Sequence, residues 1–276
     1  MNSWRSDFVE ANGIRLHYTR TGGNGPSLVL SHGVTDNGLC WTPVAEALAP
    51  EYDVIMVDAR GHGRSDAPEQ GYSPADQAAD LAGLIAALGL RRPILLGHSM
   101  GAITTLVLAG TSPELPRAIL LEDPPPWWQS SDEPSPEVAE RMERMKAWFA
   151  QVKRMSREEL IAVNRAENPG WSDAERQPWA DAKLQFSPKI AEVIQSTTPT
   201  SVDWPALLAR VSCPALLITA DPERGAATGP EAAAALQARL PQLQVAQIAG
   251  AGHSIRRDQF ESYMEAVRAF LRSLPA

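Results

Sequence analysis

Apolar and polar residues alternate along this chain on two periods, which separate short buried strands from longer amphipathic helices. Phe8-Val9-Glu10 and Ile14-Arg15-Leu16-His17-Tyr18 flank Asn12-Gly13, a pair that favours the tight turn of a hairpin. Continuous apolar runs follow: Leu28-Val29-Leu30, Val54-Ile55-Met56-Val57, Ile94-Leu95-Leu96, Ala118-Ile119-Leu120-Leu121 and Ala215-Leu216-Leu217-Ile218. Runs without alternation are expected of strands covered on both faces. The last run, Gln244 to Ile248, is more polar and fits a strand nearer the sheet edge. Between the runs lie helical stretches. Residues 74–89 begin at Ser73-Pro74, a cap followed by proline at the first helical position, and stop at Gly89. Residues 230–240 are rich in alanine, and 258–272 set Phe260, Met264, Val267, Phe270 and Leu271 on one face. Strands alternating with helices predict an α/β fold with a parallel sheet.

One stretch breaks the alternation. From Pro124 to about Pro205 no strand pattern is found. Val138, Met142, Met145, Phe149 and Val152 share a helix face, and Ser156–Glu159 and Ser172–Glu175 read as capping boxes. The predicted organisation is a core of residues 1–123 and 206–276 with a helical insertion at 124–205. The insertion holds six of the eight tryptophans, Trp127, Trp128, Trp148, Trp171, Trp179 and Trp204. Most are expected to form its own core. So small a unit is expected to leave one or two facing a cleft, and Trp127, Trp128, Trp148 and Trp179 are the candidates for substrate contact.

Composition narrows the class. The 276 residues are 44% hydrophobic and 21% charged, an ordinary globular balance. The net charge of -8, spread along the chain, argues against nucleic acid or anionic membrane as main partner. Cys40 and Cys213 are too few and too distant for a disulfide framework or a metal site. The N-terminus lacks the apolar core of a signal peptide, and no apolar run approaches the ~20 residues of a membrane span. A cytoplasmic protein, monomer or homodimer, is the expectation.

The chemistry centres on Gly97-His98-Ser99-Met100-Gly101, between the run Ile94–Leu96 and a helical stretch. A serine nucleophile needs a sharp strand-to-helix turn that projects its hydroxyl, with glycines two residues away letting neighbouring backbone approach. The following helix points its positive end at the site. Ser99 also needs a base. Of the five histidines, His17 lies on the early hairpin, His98 adjoins Ser99 and points elsewhere, and His32 and His62 sit in glycine-flanked turns. His32 stays a candidate for substrate contact. His253 follows the last strand and comes last in chain order, which suits the base. The acid that orients it is either Asp221, after the run 215–218, or Asp123, after 118–121, and Asp221 is favoured. The oxyanion is expected to be held by the amides of Met100 and, after Leu28–Leu30, of Val34. Gly61-His62-Gly63 lacks the third glycine of a dinucleotide fingerprint and reads as a structural turn. No metal-binding spacing occurs, so neither metal nor cofactor is expected.

Ser31-His32-Gly33, Asp58-Ala59-Arg60-Gly61-His62-Gly63-Arg64-Ser65, Gly97–Gly101, Asp221 and Gly252-His253, in this order, resemble the α/β-hydrolase superfamily, in its branch with a helical cap. The resemblance spans nearly the whole chain. It implies an eight-stranded, mostly parallel sheet with helices on both faces, a cap over the site, and a Ser99–Asp221–His253 triad. Serine rather than aspartate at position 99 disfavours epoxide opening and dehalogenation. The expected activity is hydrolysis of an apolar, aromatic-tolerant ester or lactone through an acyl-enzyme. The alternatives are a C–C bond hydrolase or lyase using the same triad, and a ligand receptor of slow turnover. Ala102 after Gly101, where many C–C hydrolases carry glycine, weighs slightly against the first of these.

Overall fold

The computed structural model describes residues 4–129, 136–190 and 202–275, without the side chains of 136–139, 141 and 142. Val138 and Met142, assigned above to a helix face, therefore lie outside the described side chains.

Eight strands form one sheet in the order β1-β2-β4-β3-β5-β6-β7-β8. They are β1 (Arg5–Ala11), β2 (Ile14–Arg20), β3 (Ser27–Ser31), β4 (Asp53–Val57), β5 (Ile94–His98), β6 (Ala118–Glu122), β7 (Ala215–Thr219) and β8 (Leu243–Gln247). β1 and β2 form the predicted hairpin, turning at Asn12 and Gly13, both with positive φ. β2 meets β4 antiparallel, and every later pair is parallel. β4 through β7 are buried at every position, which is why their runs carry no polar alternation. β8 pairs only with β7, and its exposed Gln244, Val245 and Gln247 account for its more polar sequence.

Helices α1 (Thr42–Leu48), α2 (Pro74–Ala87) and α3 (Met100–Thr111) follow β3, β4 and β5. α2 starts at a full capping box between Ser73 and Asp76, and Gly89, at φ 64°, lies just past its end. One apolar cluster joins α2, α3 and one face of the sheet, and a second joins α1 and the C-terminal helix to the other.

Between β6 and β7 the described residues hold only helical elements, chiefly α4 (Pro136–Val152), α5 (Arg157–Glu167), α6 (Asp173–Gln185) and, before β7, α7 (Trp204–Leu208). Ser156–Glu159 forms the predicted capping box, whereas Ser172 makes no side-chain cap bond. The apolar cluster of the insertion runs from Met145 to Ile190 and takes in Val34, Ala59, Tyr72 and Met100 of the core. Trp128 and Trp204 instead belong to the core cluster, with Trp127 packed against it. The chain closes with α8 (Pro230–Arg239), the short α9 (Ile255–Asp258) and α10 (Phe260–Ser273).

Candidate active site

In a parallel sheet the loops after the strands gather at one edge, where ligands bind. Here the loops after β3, β5, β6, β7 and β8 carry Val34, Ser99, Asp123, Asp221 and His253 in turn. Ser99 sits between β5 and α3 at φ 52° and ψ -114°, a strained conformation for a residue with a side chain. The flanking glycines permit it. A Cβ on Gly97 would fall 2.2 Å from the Gly101 carbonyl oxygen, and one on Gly101 2.2 Å from that of Ser31. The elbow therefore presses against the loop after β3, and a Cβ on Gly33 would lie 3.5 Å from that of Ser99. Met100, first residue of α3, has an amide without an intrahelical partner.

His253 Nε2 stands 3.1 Å from Ser99 Oγ, and its Nδ1 stands 2.6 Å from Asp123 Oδ2. The preference for Asp221 is thus corrected: the structure brings Asp123 to the imidazole. β6 lies next to β5, so a residue just past its end is one strand spacing of ~4.8 Å from the elbow, whereas Asp221 lies beyond β7, a strand further away. Asp123 is fully buried at φ 42°, and its carboxylate also accepts the amides of Ala227 (2.7 Å) and Thr228 (2.9 Å). Asp221 accepts the Gly250 amide at 2.6 Å and so braces the loop that leads to His253.

The other four histidines are structural. His17 Nδ1 meets Asp58 at 2.8 Å. His32, placed above among the substrate contacts, is 1% exposed; its Nδ1 donates to Gly33 O (2.8 Å) and its Nε2 accepts the Ala59 amide (3.0 Å). Both nitrogens are occupied, so none is left for a ligand. His62 lies between the carbonyls of Val34 (2.7 Å) and Arg60 (2.8 Å), and burial beside His32 pushes its pKa down to about 3. His98 Nε2 donates to the His253 carbonyl at 2.9 Å. Burial, then Arg256 and the His253 ring, push His98 well below the usual imidazole range, which leaves it neutral and a single donor. The Asp58–Ser65 motif is a turn, as its sequence suggests: Asp58 accepts the amides of Gly38 and Arg64, and a Cβ on Gly63 would strike its carboxylate.

The tryptophan candidates divide. Trp148 and Trp179 share one apolar cluster with Met100, the residue after Ser99, and with Val34 of the loop after β3. Trp127 and Trp128 pack on the core instead, Trp128 donating to the Ala232 carbonyl at 3.0 Å.

A charge cluster that the sequence did not reveal lies beneath. Asp36 contacts Lys183 (3.1 Å), Arg256 (3.1 Å) and Arg257 (2.9 Å); Arg256 also reaches Glu122 (3.1 Å) and Arg257 reaches Glu175 (3.1 Å). Three carboxylates balance three cations, as burial of charge requires. Burial alone would lift the Asp36 carboxyl, but Arg257, Lys183 and Arg256 hold it well below the usual carboxylate range. Glu175, expected to close a capping box, is drawn into this cluster. The available signal was confined to Glu175 and Lys183, which helix periodicity turns to the buried face of α6.

The geometry permits proton transfer between Ser99 and His253 with Asp123 fixing the tautomer. Comparison with known proteins agrees with the fold. Residues 28–269 match the model of the "Alpha/beta hydrolase family". The chain is 34% identical over 269 residues to N-formylmaleamate deformylase of Pseudomonas putida, covering 95% of each. It is 31% identical over 273 residues to 2-(acetamidomethylene)succinate hydrolase of Mesorhizobium japonicum, covering 95% of this chain and 94% of the relative. The crystal structure of an E-2-(acetamidomethylene)succinate hydrolase superposes with a TM-score of 0.79 at 25% identity, over 98% of this chain and all of the other.

Proposed function

This chain belongs to the alpha/beta hydrolase family and is a hydrolase, and from that premise we propose that it acts by two-step acyl transfer through Ser99, His253 and Asp123. His253 Nε2 takes the Ser99 proton as Oγ attacks the substrate carbonyl. Asp123 keeps the Nδ1 proton in place and stabilises the imidazolium. The amides of Met100 and Val34 hold the oxyanion, a donor pair in which each member is worth ~3 kcal/mol of barrier. The imidazolium then protonates the leaving group. Water, deprotonated by His253, releases the acyl group and restores Ser99. The observation that carries this reading is the unbroken line from Ser99 Oγ through His253 to Asp123, at 3.1 and 2.6 Å.

The substrate we propose is an apolar ester or lactone that lies under Trp148 and Trp179. A second reading, a short acyl group carried on nitrogen, is supported by the names of the two relatives, one a deformylase and the other acting on an acetamido compound. A fluorophosphonate probe tests the nucleophile: labelling of the wild type and none of Ser99→Ala is expected, and labelling that survives the substitution rejects Ser99. A panel of aryl esters, lactones, N-formyl and N-acetyl amides and a vinylogous diketone then ranks the bonds. Turnover confined to the diketone would replace the ester reading with C–C cleavage.

A further inference from the structure

Three successive carbonyls of the loop after β3 each lie within hydrogen-bond distance of a buried side chain. Gly33 O accepts from His32 (2.8 Å), Val34 O faces His62 Nε2 (2.7 Å), and Thr35 O accepts from Lys183 Nζ (2.9 Å). The two histidines belong to the core. Lys183 comes from α6 of the insertion, is 1% exposed, and lies 4.6 Å from the centroid of the Trp179 ring.

A peptide unit is a rigid plane whose N–H and C=O point in opposite directions. Lys183 fixes the carbonyl of the Thr35–Asp36 unit. The amide of the same unit, Asp36 N–H, donates to Gly33 O at 3.0 Å. The Gly33 carbonyl in turn shares its unit with the Val34 amide. Two rigid planes therefore connect the lysine of the insertion to the Val34 amide, one of the two donors proposed for the oxyanion. We propose that Lys183 is a positioning residue: docked into the core, its ammonium aims the Val34 N–H, so that the insertion completes the oxyanion hole. The chain also polarises. A cation on Thr35 O strengthens Asp36 N–H as a donor, and that bond strengthens Val34 N–H. The Asp36 carboxylate, 3.1 Å from the ammonium, balances the charge.

This inference rests on the acyl-transfer reading, and its test separates the two. Steady-state kinetics on an aryl ester, inhibition by an arylboronic acid that mimics the tetrahedral adduct, and fluorophosphonate labelling are measured for Lys183→Met, Lys183→Arg and Glu175→Gln. Lys183→Met is expected to lower kcat about tenfold to a hundredfold, less than outright loss of an oxyanion donor, with KM within about twofold. Its boronate affinity should fall by the same factor. Lys183→Arg, which keeps a charged donor, should recover most of the loss. Glu175→Gln loosens the same face of the insertion without touching the relay and should keep its kcat. If Lys183→Met does not fold, Lys183→Gln, a neutral donor, is expected to show the same split in weaker form. Wild-type kcat and boronate affinity in the Met or Gln variant would overturn the proposal. So would an equal loss in Glu175→Gln with raised KM, since that reports only a displaced insertion. Absence of label on wild-type Ser99 would sink the acyl-transfer reading itself, and the relay with it.

Discussion

Asp123 and Asp221 differ in what already occupies them. The Asp123 carboxylate has two backbone amides and the His253 ring; the Asp221 carboxylate has the Gly250 amide. Asp123→Asn preserves shape but presents an amide that favours the wrong imidazole tautomer, so kcat on an aryl ester should fall by about 10⁴-fold. Asp221→Asn keeps an acceptor for Gly250 and should change kcat by no more than a few-fold. Reversed losses in the same assay would restore Asp221 as the acid. The choice was not legible in the sequence, because both aspartates follow strand-like runs and both precede His253 in chain order. What decides between them is that β6, not β7, neighbours β5, and strand order is a property of the folded sheet. Ser99 and His253 were legible, because the elbow's glycines and the histidine after the last strand are local features. His32 was misjudged for the opposite reason: its position beside the site was right, but its two backbone partners lie 1 and 27 residues away along the chain.

Elements show the same division between local and distant causes. The elbow depends on close backbone contact, so Gly101→Ala, whose Cβ would sit 2.2 Å from Ser31 O, should force β3 and α3 apart. Such overpacking costs about 1–3 kcal/mol or more and should appear as a lower melting temperature together with lost activity. The helix caps give a paired test. Ser156 accepts the Glu159 amide at 3.2 Å, so Ser156→Ala should cost about 1 kcal/mol by denaturant midpoint. Ser172 makes no cap bond, so Ser172→Ala should cost close to nothing. The two motifs read alike in sequence. They diverge because Glu175 is drawn to Arg257, on α9, at 3.1 Å. The hairpin, the buried strands and α2 were legible for the reason Ser156 was: their signals are complete within a few neighbouring residues. The partition of the tryptophans between core and insertion was not, since it depends on packing between distant segments.

At the scale of the whole molecule, buried neutral histidines set how stability responds to acid. His32, His62 and His98 are all held below the ordinary imidazole range, chiefly by burial. Below about pH 6.5 the unfolded chain takes up protons at these sites that the folded chain refuses, so stability falls as pH falls, by at most about 1.4 kcal/mol per pH unit for each histidine. The three together give a slope of up to about 4 kcal/mol per unit. The depressed Asp36 carboxyl adds to the loss only as pH drops under its unfolded value of about 4. Urea unfolding at pH 7.5, 6.5 and 5.5 should show a level upper interval and a steep lower one; equal midpoints throughout would mean that these rings take up protons as readily in the folded chain as in the unfolded one. Of these groups His98 bonds the His253 carbonyl directly, and Asp36 ties Lys183 of the insertion to Arg256 and Arg257 just past His253. The most direct test of that arrangement is mass spectrometry of the intact protein, acid-quenched during turnover of an activated aryl ester and followed by peptide mapping. An acyl mass carried on Ser99, absent from Ser99→Ala, is the expected result. Continued turnover with no acyl-protein at any time point, or an adduct on another residue, would contradict it.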